Sequence, residues 1–479
     1  MKVLDQRHLP DERPATMDEK GKRVFIFPSQ VTGFWRNLRT VTEILLVVFF
    51  LVLPWIKIGG HQALLLNIGE RKFSIFGLTF WAHDAPLIFF ILAFLTIGLA
   101  FITAVWGRIW CGWACPQTVF IDGIFRRLEY LIIGSHVQQR NLAQAPWDLK
   151  KFFKLGVLWT LFIIVSLVIA HSFLAYFVGA DRLVEMTQHN PGQNWTIFII
   201  MAFLTAMFLF DFGWFREQFC IIVCPYGRFQ SVLIDDDSLT VSYDTVRGEP
   251  RKGSVKAGET EGDCINCYKC VAVCPTGIDI RNGLQLECIG CTACIDACDE
   301  VMEKVEKPKG LIRYATGNAL KGLKTRWLRP RVAIYLVLLV VVVSALTFFI
   351  DRREDIVVTI LRGKDAPFQV IEEENDHEHE EEEVINHFKM HMKNQSFDSV
   401  SLKMSLPEEW EERDVEIITQ DKIINLDAGK DVTIHFFVKF PRDVTGKSGT
   451  QSIKLNFIDT RSNKIKTEED LSLVGPKSI

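Results

Sequence analysis

The sequence predicts an α-helical integral membrane protein with a cysteine-rich segment between its helices and a C-terminal all-β sandwich. Three observations carry this. Of 479 residues, 48% are hydrophobic and 36 are Phe, and five segments each supply the roughly 20 apolar residues that a helix needs to cross a bilayer. The chain has 12 cysteines, all between Cys111 and Cys298. After residue 350, short β-branched and alternating runs replace the long apolar ones.

The five segments lie near residues 40–57, 86–107, 153–178, 195–215 and 331–350. Basic residues set their direction. Lys22, Arg23, Arg36 and Arg39 precede the first; Arg108, Arg126, Arg127, Arg140, Lys150, Lys151 and Lys154 fill the second loop. Arg216 and Arg228 follow the fourth, and Lys321, Lys324, Arg326 and Arg329 lead into the fifth, whereas the third loop holds Arg182 alone. The positive-inside rule then places the N-terminus and the cysteine-rich segment in the cytoplasm and the last 130 or so residues outside. Lys57, Arg71 and Lys72 in the first loop run against that bias. The first thirty residues are polar, with no secretory h-region, so the first apolar segment reads as an uncleaved anchor.

WCGWACP (110–116) and FCIIVCP (219–225) close the second and fourth segments. A shift of 109 residues lays Cys111 on Cys220 and Phe120 on Phe229, so the first four segments read as a duplicated hairpin. Within each motif the cysteines are four apart and share a helical face. Pro116 and Pro225 loosen the turn and leave a carbonyl free. Cys111, Cys115, Cys220 and Cys224 are thus candidates for one soft-metal site, for which thiolates favour Cu(I), zinc or iron–sulfur groups. The plain alternative is four buried small hydrophobes. Trp106, Trp110, Trp113 and Trp214 read as interfacial anchors. Glu43, His171 and Asp211 read as structural, with Arg39 and Arg216 as partners for the two acids.

CINCYKCVAVCP and CIGCTACIDACD each show C-x2-C-x2-C-x3-C, the spacing of bacterial two-cluster ferredoxins. Three closely spaced thiolates can face three corners of an iron–sulfur cube, with the fourth corner reached from the other set. That assigns Cys264, Cys267, Cys270 and Cys298 to one [4Fe–4S] cluster and Cys288, Cys291, Cys294 and Cys274 to the other. A pair of zinc sites is the alternative, although zinc usually takes two separated CxxC pairs. No G-x-G-x-x-G after a strand and no Walker loop is present, so electrons must come from a cytoplasmic donor. A net charge of −4 gives no reason to expect nucleic acid as a partner.

In the outer domain VINHFKMHMKN alternates. Val384, Phe388, Met390 and Met392 belong on an inward strand face, His387 and His391 on the other. His377 and His379 sit in the acidic stretch EEENDHEHEEEE, a solvated loop able at most to bind metal weakly.

The sequence resembles the cytochrome c oxidase accessory proteins called FixG, RdxA or CcoG. The resemblance runs from about residue 30 to the C-terminus and is carried by WCGWACPQTVF, CPYGRFQSVLIDDDSL, YDTVRGEPR and GDCINCYKCVAVCPTGIDIRNGLQLECIGCTACIDACDEVM. LRGKDAPFQV and the closing VGP match the start and end of that family's outer immunoglobulin-like domain. The histidine-bearing insert at 373–383 departs from its pattern.

The resemblance implies a multi-pass protein of the bacterial inner membrane with two cytoplasmic [4Fe–4S] clusters. It also implies reduction of Cu(II) to Cu(I) for cbb3-type oxidase assembly, with copper chaperones or oxidase subunits as partners. The organisation expected is a cytoplasmic segment 1–38, a membrane domain 39–234, a ferredoxin-like domain 235–327, a fifth helix 328–352 and a periplasmic domain 353–479. A quinol-linked conduit and a non-enzymatic assembly scaffold remain alternatives.

Overall fold

The computed structural model describes residues 16, 23–81, 85–254, 260–363, 366–372 and 382–477. It forms two units, Met1–Asn67 with Pro86–Thr347 and Ile68–Ala85 with Phe348–Ile479. The five helices long and apolar enough to cross a membrane are Phe34–Trp55, Pro86–Trp106, Leu149–Val178, Trp195–Phe215 and Pro330–Asp351.

The first helix starts six residues earlier than its apolar run, at Phe34. The reason is a cap from far away in sequence. The backbone N–H groups of Trp35 and Arg36 donate to the Asp296 carboxylate at 3.2 and 2.7 Å, meeting donors that a helix start otherwise leaves open. Arg36 and Arg39 therefore lie inside the helix, not before it. The third helix has a local cap, Asp148, which accepts from Lys151 N at 2.7 Å.

Of the two expected polar pairings, one holds and one differs. Arg39 does meet Glu43, at 3.3 Å. Asp211 instead accepts from the Gln117 side chain at 3.0 Å, while the Arg216 guanidinium pairs with Glu129. The fourth helix widens into a π-helical turn at Leu209–Phe215, and Arg216 follows with φ 50°. The Arg216 side chain donates to Gly213 O of that turn at 3.1 Å and reaches Glu129, not Asp211.

The cysteine-rich segment is built on an antiparallel pair, Thr240–Tyr243 with Ile312–Ala315, and a helix, Ala293–Lys304. Val241, Val271, Ile295, Met302 and Leu311 form its apolar centre, and the cysteines pack against that centre.

The second unit contains two antiparallel sheets around one core. Strand Glu382–Asn394 lies central in the first sheet, between Asp431–Pro441 and Ile356–Arg362. In the second sheet, Val400–Ser405 pairs with Thr450–Asp459, which pairs with Ile465–Val474. Val384, Phe388, Met390 and Met392 are buried, with Phe436, Phe440 and Phe457 facing the same core. His387 and His391 point out on the opposite face, as period-2 alternation requires. Asn386 and Asn394 are the buried polar exceptions on the inner face, and Asn386 links the sheets. Its side chain donates to Val474 O and accepts from Val474 N, both at 2.7 Å, so a polar staple joins the two sheets.

A hairpin, Lys72–Ile75 with Leu78–Trp81, belongs to this unit although it lies between the first two membrane helices in sequence. Its Trp81 Nε1 donates to Gln395 O at 3.1 Å, and the ring meets Phe397 edge-on. His377, His379 and most of the acidic insert lie outside the described residues.

Candidate redox centre

Both cysteine loops turn in the same way. Left-handed residues stand just before and just after the second cysteine: Asn266 and Tyr268 in the first loop, Gly290 and Thr292 in the second. Such alternation of backbone hands folds successive N–H groups into a concavity suited to anionic sulfur clusters. Helix Ala293–Lys304 then begins at Thr292 and carries Cys294 and Cys298 on successive turns.

The fourth cysteine of each loop lies with the other loop's first three. Burial, then Asp299, Cys264 and Cys267, push the Cys298 thiol up to about 12. Burial, then Cys291, and after it Cys288, push Cys274 up to about 12. A small cavity, walled by Val241, Ile278, Ile280 and Ile289, is lined by Cys270, Cys274, Cys288, Cys291 and Cys294.

These donors fit iron–sulfur cubes better than zinc. All are sulfur. Among the described residues no three His, Cys, Asp or Glu side chains converge as a single ion would require. A cubane holds its thiolates further apart than that. Buried neutral thiols ionise only against a compensating cation, and bound iron is one.

The membrane thiols adopt a geometry the motif alone does not reveal. Each motif breaks at its second cysteine. Helix Ile109–Trp113 stops, Cys115 is extended (φ −64°, ψ 125°), and Pro116 opens the next helix. Cys224 repeats this (φ −69°, ψ 111°) before Pro225. The residue before proline avoids the helical region, and proline itself suits the first position of a helix. The expected shared helical face is therefore absent, while the carbonyl that Pro116 leaves open, Gly112 O, is taken by Arg39. Cys115 and Cys224 sit at helix N-termini instead.

The four thiols are nonetheless neighbours. Burial, then Cys115 and Cys224, push Cys111 up to about 12, against the pull of Arg108. Burial, then Cys115, with Cys111 and Cys224 adding to it, raises Cys220. Cys111 Sγ donates to Gln230 Oε1 at 3.6 Å, from the helix that follows the second motif.

The two thiol systems meet at a pair of glycines. A Cβ on Gly112 would stand 2.6 Å from Gly290 O and 2.7 Å from Ile289 O, so WCGWACP lies directly on the CIGC loop. The Arg108 guanidinium donates to Leu286 O, and to Cys288 O at 2.6 Å, while facing the thiols of both Cys288 and Cys111. Arg39 donates to Gly112 O at 2.7 Å and pairs with Asp122 at 2.5 Å. Arg126 also pairs with Asp122, at 2.6 Å. Burial opposes ionisation of Asp122, but Arg126 and Arg39 overcome it and hold its carboxyl well below the usual range.

The sequence marks Arg108 and Arg126 only as topogenic charges, and Arg39 as one that could also pair with Glu43; all three are buried. Trp113, expected as an interfacial anchor, donates to Tyr314 Oη at 3.2 Å and packs edge-on to Trp35. No local pattern separates such residues from surface ones.

A model described as a 4Fe-4S dicluster domain matches residues 215–317, and one described as a 4Fe-4S binding domain matches 87–134 and 193–235. Protein RdxA of Cereibacter sphaeroides is 37% identical over 334 residues, covering 66% of this chain and 70% of RdxA. The chain belongs to the FixG/RdxA family. The nitrogen fixation protein FixG of Rhizobium meliloti is 37% identical, over 62% of this chain and 58% of FixG. Protein RdxB of Cereibacter sphaeroides is 38% identical, over 64% and 65%. Family membership and the two matched domains make this a membrane-spanning, ferredoxin-type iron–sulfur electron-transport protein.

Proposed function

We propose that the chain carries electrons to Cu(II) and releases Cu(I) for assembly of a cbb3-type oxidase. The observation that carries this reading is the Gly112–Gly290 contact, which joins the ferredoxin-like loop to the membrane thiols with Arg108 between them. Cys264, Cys267, Cys270 and Cys298 would hold one cluster, and Cys288, Cys291, Cys294 and Cys274 the other. When bound, the two clusters supply one-electron carriers.

The chain's own residues do the rest. Cys111, Cys115, Cys220 and Cys224 offer copper soft donors that favour the ion once it has gained one electron; among the described residues no three of them converge on one point, so the ion would be held by fewer than three. Arg108 and Arg39 fix the docking of the two motifs.

Charge and contact support one assignment of sides. The segment before the first helix packs on the ferredoxin-like segment, with Ser29 N donating to Ala272 O at 2.8 Å. The hairpin after the first helix packs on the sandwich. These contacts favour a cytoplasmic N-terminus and cluster domain, and an immunoglobulin-like sandwich outside, in a bacterial inner membrane. They also account for Lys57, Arg71 and Lys72 in an outer loop.

Copper K-edge absorption on anaerobic protein given Cu(II) tests the reading. Cu(I) in a sulfur environment is expected in the wild type, and its persistence in a variant with Ser at 111, 115, 220 and 224 would exclude those thiols.

A second reading rests on the 4Fe-4S binding domain match, which covers both CxxxCP copies. There the four thiols hold a third iron–sulfur group. Iron analysis separates the two: about eight atoms per chain for two cubanes, about twelve for three.

A further inference from the structure

A cavity of ≈ 320 Å³ opens beside Cys291, between the start of the first membrane helix and residues 122–130. Arg36, Arg39, Arg126 and Arg127 line it, against one carboxylate, Asp122. Asp122 is already engaged by Arg39 and Arg126, at 2.5 and 2.6 Å. Glu43, buried behind the wall, receives Arg127 at 3.1 Å but stands 3.7 Å from Arg36, too far for a hydrogen bond. Arg126 is 7% exposed. Its terminal nitrogens pair with Asp122 and with Glu217, which stands behind the wall.

Four guanidiniums thus share three carboxylates, Asp122, Glu43 and Glu217, with Arg36 the least engaged, so the wall keeps a positive surplus that an anion in the cavity would meet. Four planar guanidiniums at different angles suit a tetrahedral group with several oxygens better than a carboxylate with two. Arg36 and Arg39 lie in the first turns of a membrane helix, near headgroup depth.

We propose that this cavity binds a phosphate group, from an anionic lipid headgroup or from free phosphate, and that its occupant lowers the reduction potential of the cluster held through Cys291. The second half rests on the cluster reading above. Negative charge beside that cluster disfavours adding an electron.

The test uses the full chain. Phosphate uptake is measured by equilibrium dialysis with radiolabelled inorganic phosphate. Lipid retention is measured by native mass spectrometry after reconstitution with phosphatidylcholine alone or mixed with phosphatidylglycerol. Arg36→Gln/Arg127→Gln is compared with wild type, and Arg127→Gln alone serves if the double variant fails to fold; Arg127 is partly exposed.

Saturable phosphate uptake that falls tenfold or more in the Gln variant supports the site with a free anion. Phosphatidylglycerol retained by wild type and lost by the variant supports it with a lipid. Binding of neither, or equal binding by wild type and variant, overturns it. In an EPR redox titration the occupant should lower one cluster's midpoint in wild type and leave the variant unchanged. A midpoint that does not move overturns the second half. Protein lacking iron would remove the cluster reading, while the dialysis result would stand by itself.

Discussion

Gly112→Ala is the sharpest perturbation of the joint between the two thiol systems. The added methyl would lie 2.6 Å from Gly290 O, whereas ordinary contact begins at 3.4 Å, so the CIGC loop must retreat by about 0.8 Å. Both obstructing atoms are backbone, which cannot swing aside as a long side chain can. Overpacking of this kind costs about 1–3 kcal/mol. Helix propensity acts in the opposite direction, because alanine is favoured over glycine in a helix by up to about 1 kcal/mol.

With backbone on both sides the clash wins, leaving the docked state weaker by about 1–2 kcal/mol, near a tenfold shift in its population. Hydrogen exchange of the amides at 288–291 should then speed by about that factor, and electron delivery to the membrane thiols should slow. Gly156→Ala is the control: nothing lies within 4 Å of its added methyl, so it should be neutral or stabilising. Unchanged exchange in Gly112→Ala, or equal slowing by both substitutions, would refute the docking argument.

Asp122→Asn leaves Arg39 and Arg126 buried without their shared carboxylate, and should cost about 3–5 kcal/mol in thermal unfolding of detergent-solubilised protein. Because the folded-state pKa of Asp122 is depressed, its contribution is present above the ordinary carboxylate range. That contribution is lost only as pH falls through the lower folded value, so melting temperature should not drop on this account between pH 7 and 5. In iron-free protein Cys111, raised to about 12 mainly by burial, should resist iodoacetamide at pH 8, and Arg108→Gln should make it more resistant. Phe436→Ala, fully buried between the sheets, should destabilise the β unit by about 3–5 kcal/mol in denaturant unfolding of the whole chain.

The five apolar helices and the alternating strands were legible because both rest on short-range periodicity, which survives in any context. Met390 and Met392 inside and His391 outside follow from strand pleat alone. The C-x2-C-x2-C-x3-C spacing was equally local. What escaped was set by distant partners. Asp296 caps a helix 260 residues earlier, and Arg108 turns from a loop charge into a link between Cys288 and Cys111. CxxxCP misled for a local reason: four-residue spacing suggests one helix face, but the proline forces the second cysteine out of the helix.

The central claim is that electrons leave through the membrane thiols docked on the CIGC loop. Stopped-flow mixing of chemically reduced, anaerobic protein with Cu(II) and a Cu(I)-specific chelator tests it most directly, comparing wild type with the variant carrying Ser at 111, 115, 220 and 224. The account predicts that loss of the reduced-cluster signal keeps step with Cu(I) capture in wild type. It also predicts that both slow in a variant that keeps its iron. Equal rates in the two proteins would contradict it.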